Sequence, residues 1–373
     1  VPFPHNRYGE YVGYKTDHDL RCRASSVGPY TSKVMTECLE KAVLEKGIDI
    51  YDNLQVIKVL VHNNELFGLL CLNTKAQTEC ERYFAFNCTN VVFATGGPSG
   101  IYADSVYPEG HFGATGLAFE AGVKGVNLTE WQYGLASIKP RWNVSGTYMQ
   151  AMPRFISYAY DGSDEREFLS EYFDNSSEMN SLIFLKGYQW PFDVRKIRDG
   201  SSIIDLLVYR ERFVRKRRVF LDFMRNTGGE PIKFSSLRDE VHTYLSKAGA
   251  CFGTPIERLF RMNKPAVDLY LDHGIDLRNK ELEITLSAQH NNGGLLVDCW
   301  WQTNLNGFFA VGEIAGTHGV YRPGGSALNA GQVGSTRAAM MIAARRRNDP
   351  PSNAQFLSAV KTMIAETIEV PRR

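Results

Sequence analysis

The sequence has almost no net charge. Its 42 Lys and Arg stand against 41 Asp and Glu, a formal +1 over 373 residues, so no global field draws it to nucleic acid or an anionic membrane. Cysteine is sparse and scattered. There are seven, an odd number, and none sits in a C-x-x-C pair. That usage argues against a disulfide frame and against a zinc or iron–sulfur site, and it suits reduced thiols in a cytoplasmic protein. No apolar run reaches the ~18 residues that mark a bilayer-spanning helix. No internal repeat and no signal peptide stand out. The chain also lacks an initiating methionine. It starts at Val1 and stops just past an expected helix, as a fragment of a longer protein would.

What is present is a globular composition, 43% hydrophobic and 22% charged, with enough chain for one large domain or two ordinary ones. Residues 1–30 are polar and turn-rich and read as a surface excursion. From Thr31 a helix is expected, with Val34, Met35, Cys38, Leu39, Ala42 and Val43 on one face and Gly47 closing it. A short strand at Ile48–Tyr51 follows. Leu54–Val61, Leu66–Leu72 and Glu81–Phe86 then read as an antiparallel meander turning first at 62–65. Val91-Val92-Phe93-Ala94 is a buried strand that stops at Thr95-Gly96-Gly97.

Gly110, Gly113 and Gly116 are spaced G-x-x-G-x-x-G with no strand feeding them, so they do not make a dinucleotide fingerprint. They precede a helix at Leu117–Ala121. Residues 134–285 change in texture, becoming aromatic and charged. Helical patterns cover Ile203–Phe220 and Ile256–Asp272, the second opened by Thr254-Pro255 as N-cap and first position. The basic run Arg210–Arg218 reads as a solvated helix face. Residues 348–353 break the chain before an amphipathic helix at Ala354–Ile368.

One stretch organises the rest. Phe308-Phe309-Ala310-Val311 has the character of a buried parallel strand. It ends at Gly312-Glu313, where the backbone can turn and a carboxylate can reach a ligand hydroxyl. After His318 and Arg322, Pro323-Gly324-Gly325-Ser326 opens a long helix of small residues from Ala327 to about Arg345. A helix start free of bulky side chains offers backbone N–H groups to an electron-rich ligand.

Here the stretch resembles the closing flavin-binding segment of the family that contains succinate dehydrogenase and fumarate reductase flavoproteins and L-aspartate oxidase. That segment reads A-x-G-E, then H-G-x-x-R-x-G, then a helix. This chain has Ala310-Val311-Gly312-Glu313, then His318-Gly319-Val320-Tyr321-Arg322-Pro323-Gly324, then the helix. The helix, strand, meander and A-T-G-G of the first part are similar to the middle of the family's flavin domain.

The resemblance implies an α/β fold with an α+β capping insertion. It would be a partial FAD-binding Rossmann-like domain carrying a β-meander and interrupted by a capping domain. The expected division is 1–133 for the first part of the FAD domain, 134–285 for the capping domain, 286–347 for the closing part, and 348–373 for the start of a helical region.

The cofactor implied is FAD, and the activity is hydride transfer between flavin N5 and a small carboxylate, an enoate or dicarboxylate. Cofactor contacts would come from Thr95, Gly96, Gly97, Thr115, Glu313 (ribityl chain), His318, Gly324 and the helix start Gly325, Ser326, Ala327 and Leu328, where the macrodipole suits an anionic reduced flavin. The duller reading of that helix start is close packing alone.

Arg322 matches the family's carboxylate-binding arginine, with a structural ion pair as the alternative. His290, in Gln289-His290-Asn291-Asn292-Gly293-Gly294, matches H-x-x-G-G and would face the substrate, or else stabilise its loop. Arg198, in Arg198-Asp199-Gly200, matches the proton-donating arginine, which serves only within a relay; capping through Asp199 is the alternative. No metal is implied. An electron-transfer partner protein is, without nucleic acid or a transmembrane segment.

One departure falls in the cofactor segment and two qualify the substrate. Thr115 stands where the family has aspartate. Trp131-Gln132-Tyr133 is followed by Gly134 where dicarboxylate-specific members carry histidine, and the E-G-x-R-G-E-G-G segment is unrecognisable. An amino-acid or hydroxy-acid oxidase of the L-aspartate oxidase type, or a non-catalytic flavin-fold scaffold, therefore stays open. The family's first strand, its G-x-G-x-x-G turn and its ribose-binding acid would lie before Val1, so these 373 residues alone are expected to bind FAD poorly and to be inactive.

Overall fold

The computed structural model describes residues 1–16, 19–322, 325–345 and 349–369. The chain divides into two compact units. One comprises Val1–Lys46, Tyr102–Glu109 and Gln132–Gln289; the other comprises Gly47–Ile101, Gly110–Trp131 and His290–Arg373.

The first unit is built on a five-stranded sheet in the order Arg154–Tyr158, Arg218–Asp222, Leu282–Asn291, Trp131–Ser137, Trp142–Asn143. Helices Ser176–Leu185 and Pro255–Asp272 contribute to a single core with Phe155, Phe184, Tyr270 and Ile284. Asn175 caps the first helix by accepting from the Ser177 and Glu178 N–H groups. Thr254 and Glu257 form a capping box on the second, and Pro255 sits in its first turn as expected. Asn263 leaves helical geometry just before Pro265, whose ring cannot fit a straight helix, so the helix kinks there.

The helix expected over Ile203–Phe220 is much shorter. It runs Ser202–Tyr209, passes through a π turn at Arg210–Val214, and gives way to strand Arg218–Asp222. Val219 and Leu221 are wholly buried, an alternation of period two that lets this segment pair with strands on both sides. The basic run is correspondingly not a solvated helix face. Arg215 pairs with Glu171 and Glu211, Arg217 with Asp164 and Glu211, and Arg218 with Glu283. Helix Thr31–Glu45 forms where expected, and Gly47 follows its end at φ +64°. Its Val34, Met35, Ala42 and Val43 are half-buried, whereas Cys38 and Leu39 are exposed.

The second unit holds the meander Leu54–His62, Glu65–Asn73, Tyr83–Asn87, antiparallel throughout. The strand expected at Ile48–Tyr51 does not form. Ile48, Ile50 and Tyr51 are each more than half exposed, and without a partner ladder an apolar alternation has nothing to cover it. Val91–Phe93 pairs in parallel with Phe308–Ala310. Helix Ser326–Ala344 follows; a Cβ on its Gly334 would stand 2.5 Å from the Trp301 indole nitrogen, so that position has to be a glycine. Helix Asn353–Glu369 seats Phe356 and Val360 against Leu60 and Leu70 of the meander. Among the described residues no helix is long and apolar enough to cross a membrane.

Candidate functional site

Within the second unit the end of strand Phe308–Ala310 fixes the site. The Val311 N–H donates to Phe93 O at 3.0 Å, and Gly312 turns at φ +75°, a conformation open to glycine without strain. The turn delivers Glu313, whose Oε1 accepts the Asn291 N–H at 2.9 Å. Strand Leu282–Asn291 ends in His290 and Asn291, the two of its residues that fall in the second unit. Asn292 anchors the end of the strand by donating its N–H to Glu130 O at 2.8 Å.

His290 and His318 meet edge to face, with ring centroids 5.0 Å apart. Arg322 is buried beside them, only 5% exposed, and its charge acts on both rings. Burial, then Arg322, then His318 push the His290 pKa down to about 2. Burial and Arg322 push His318 down to about 4. Both imidazoles are therefore neutral near pH 7.

This bears on acid stability. The unfolded His290 protonates below its ordinary 6.5, while the folded one resists down to about 2. Its contribution is thus complete above pH 6.5 and is lost as pH falls below it, at about 1.4 kcal/mol per pH unit. Replacing His290 with Asn is expected to flatten the stability curve between about pH 6 and 4 by roughly one proton. Chemical denaturation across that range, compared with the unmutated protein, checks the slope.

A second group of residues is marked by buried polar atoms without partners. Thr95 Oγ1, Ser99 Oγ, Thr115 Oγ1, Asn291 Oδ1 and His290 Nε2 accept and donate nothing. Each such atom costs about 1–3 kcal/mol unless a ligand or water meets it. Gly96 is at φ +71°, with His111 Nε2 2.8 Å from where its Cβ would stand. The Gly97 carbonyl lies 2.9 Å from the Cβ position of Gly113, bringing the A-T-G-G turn against the residues just before Thr115. Helix Ser326–Ala344 has Gly325 at its N-cap, at φ +79°, with no side chain to cap it. Ala327 and Leu328 lie in that first turn; Gly324 lies outside the described residues.

Arg198 belongs to the first unit, in the stretch between Gln189 and Ser201. Gln189 Oε1 accepts the Ser201 N–H at 3.0 Å and so closes the base of this loop. Arg198 is exposed, and no bond to Asp199 appears among the described residues. At Gly134 a Cβ would run into the indole nitrogen of Trp190, so the space next to this position is taken by an aromatic ring. Sequence reasoning did not single out Trp190, Glu130, Asn291 or Asn292. For the two asparagines the signal was at hand, since they fill the variable places of H-x-x-G-G.

The profile described as FAD binding domain matches residues 13–328. The chain belongs to that family. Among curated relatives of this FAD-binding chain are a subunit of the CoM/CoB fumarate reductase of Methanothermobacter marburgensis and the L-aspartate oxidase of Mesorhizobium japonicum. The first is 24% identical over 85% of this chain and 49% of its own length. The second is 23% identical over 88% of this chain and 54% of its own length.

The solved quinol fumarate reductase chain FrdA of E. coli superposes with a TM-score of 0.62 at 18% identity, covering 99% of this chain and 57% of that one. Sdh1 of Mycobacterium smegmatis gives 0.64 at 16%, covering 99% and 55%. These likenesses show the FAD-binding flavoprotein fold. The chain spans about half the length of the curated relatives it matches. The partnerless hydroxyls of Thr95 and Thr115, the glycine turns and the uncapped helix start fit FAD, a ligand rich in phosphate and carbonyl acceptors and ribityl hydroxyls.

Proposed function

We propose that the protein containing this chain is an FAD-dependent oxidoreductase of the fumarate reductase and succinate dehydrogenase flavoprotein type, acting on a small carboxylate. The observation that carries this reading is the convergence of buried Arg322 with His290, His318 and Glu313 in one unit. FAD, when bound, supplies two-electron chemistry that side chains lack. The second unit would hold it, through Thr95, Gly96, Gly97, Thr115, Glu313, His318 and the helix start Gly325–Leu328. The insertion expected over 134–285 would supply the substrate cap.

Arg322 would hold a substrate carboxylate with charge-assisted bonds. His290 would orient the substrate, and Arg198 would hand on a proton from an exposed loop. An electron-transfer protein is the partner we propose, since one relative is itself named as one subunit of its enzyme. The ring of Trp190 beside Gly134, the place of a carboxylate-gripping histidine, favours a second reading, a non-catalytic flavin-fold scaffold; an amino-acid or hydroxy-acid oxidase is the other enzymatic alternative.

The test uses full-length protein with its flavin reduced anaerobically. Reoxidation on adding fumarate or another enoate supports the reductase. Peroxide release in air with L-aspartate or a hydroxy acid supports the oxidase. Failure of both, with flavin bound, removes the enzymatic reading and leaves a flavin-fold scaffold.

A further inference from the structure

The neighbours of His290 choose which of its ring nitrogens carries the proton. Asn292 Nδ2 donates to Val320 O at 3.1 Å, so the oxygen end of that amide faces His290 Nδ1, also at 3.1 Å. An amide oxygen only accepts, and Nδ1 must therefore carry the hydrogen. Turning the amide over would set its oxygen against the Val320 carbonyl, two acceptors at bonding distance. Asn292 cannot easily shift either, being 1% exposed and tied to Glu130 O through its own N–H.

With the proton on Nδ1, Nε2 presents a lone pair. That atom is buried and has no hydrogen-bond partner, on a residue only 5% exposed. The carboxylate oxygen nearest to it, Glu313 Oε1 at 4.0 Å, is another acceptor and already receives the Asn291 N–H. Asn291 Oδ1 is a further buried acceptor without a partner. Apart from Arg322, assigned above to the substrate carboxylate, the groups named here are acceptors, and Nε2 meets no donor. A carboxylate brought to Nε2 would meet lone pairs with lone pairs. Burial and the charge of Arg322 oppose the second ring proton that would reverse this.

We infer that His290 Nε2 accepts a hydrogen bond from the substrate, so that the bound carboxylate carries an O–H or N–H donor and does not present a second carboxylate to this residue. The inference rests on the proposed reading in which Arg322 and His290 face the substrate. It makes His290 a specificity-determining residue and Asn292 the positioning residue that sets its tautomer.

The experiment titrates oxidised full-length holoprotein with succinate, malate and aspartate, reading the flavin absorbance change. The three probes share two carboxylates and differ in bearing no donor, a hydroxyl or an ammonium group. Malate or aspartate is expected to bind at least ~10-fold more tightly than succinate, and whichever does so identifies the donor. In Asn292→Leu, which frees the ring proton to move to Nε2, that ratio should fall toward one. A merely structural role for Asn292 would weaken all three ligands alike.

Where that variant does not fold, nitrogen NMR shifts of His290 in ¹⁵N-histidine-labelled unmutated protein decide. Protonated Nδ1 and bare Nε2 are expected. Succinate binding as tightly as the other two, or a proton found on Nε2, overturns the inference. Arg322→Ala leaving all three affinities unchanged would instead overturn the reading on which it rests.

Discussion

Arg322→Ala should lower kcat/KM for the carboxylate substrate by on the order of 10³ or more while leaving FAD bound. The guanidinium is 5% exposed and acts electrostatically on two histidines. In so dry a setting a bidentate pairing with a carboxylate is strong, and alanine offers nothing in its place. The flavin would be held elsewhere, by Glu313, the A-T-G-G turn and the helix start, so the absorbance of bound FAD should persist. Arg322→Lys should recover only a small part of the activity, because an ammonium cannot reproduce a planar fork. Turnover within about threefold of the unmutated enzyme in Arg322→Ala would show that the arginine is structural.

The second large effect concerns folding. Arg258 is fully buried in the first unit, and its guanidinium donates to four acceptors: Ala151 O at 3.0 Å, Phe252 O at 3.2 Å, Gly253 O at 2.6 Å and Asn226 Oδ1 at 2.9 Å. Burial lowers its pKa to about 10, still high enough to leave it charged at neutral pH. It ties helix Pro255–Asp272 to three separate loops. Arg258→Ala should cost ~3–5 kcal/mol, since it strands those carbonyls in the interior and opens a cavity. For a unit of this size the melting temperature should fall by on the order of 10 °C. Calorimetry of the full-length protein checks this, and a loss below about 1 kcal/mol would mean that water takes over the bonds.

The residues of the proposed site stand out in the sequence where chemistry and spacing coincide. Gly312, Glu313, His318 and Arg322 lie within eleven positions, and a strand that stops at glycine is legible from the residues alone. His290 was legible through its paired glycines. The tautomer of His290 was not, because it depends on the carbonyl of Val320, which approaches Asn292 only in the folded chain. Nor was the ring beside Gly134. Trp190 is 56 residues away along the chain, and nothing in W-Q-Y-G announces what fills the gap.

Among the elements, the meander and the strand Phe308–Ala310 were fixed by their own patterns, since alternation and a short apolar run between turns admit few alternatives. The segment 203–220 was not. Its Leu, Val and Phe satisfy a helix up to Tyr209 and a strand from Arg218, and local propensity cannot tell which applies. The neighbours Arg154–Tyr158 and Leu282–Asn291 decided it by offering two open edges.

The order of the chain alone determined the flavoprotein fold, the cofactor and the cluster of polar residues around Glu313, because backbone geometry and residue chemistry at fixed spacing carry that information. Tertiary structure alone decided the partners of each charged and polar group, from the ion pairs of the basic run to the lone pair on His290. Such partners come from segments distant in sequence, and their meeting is set by packing.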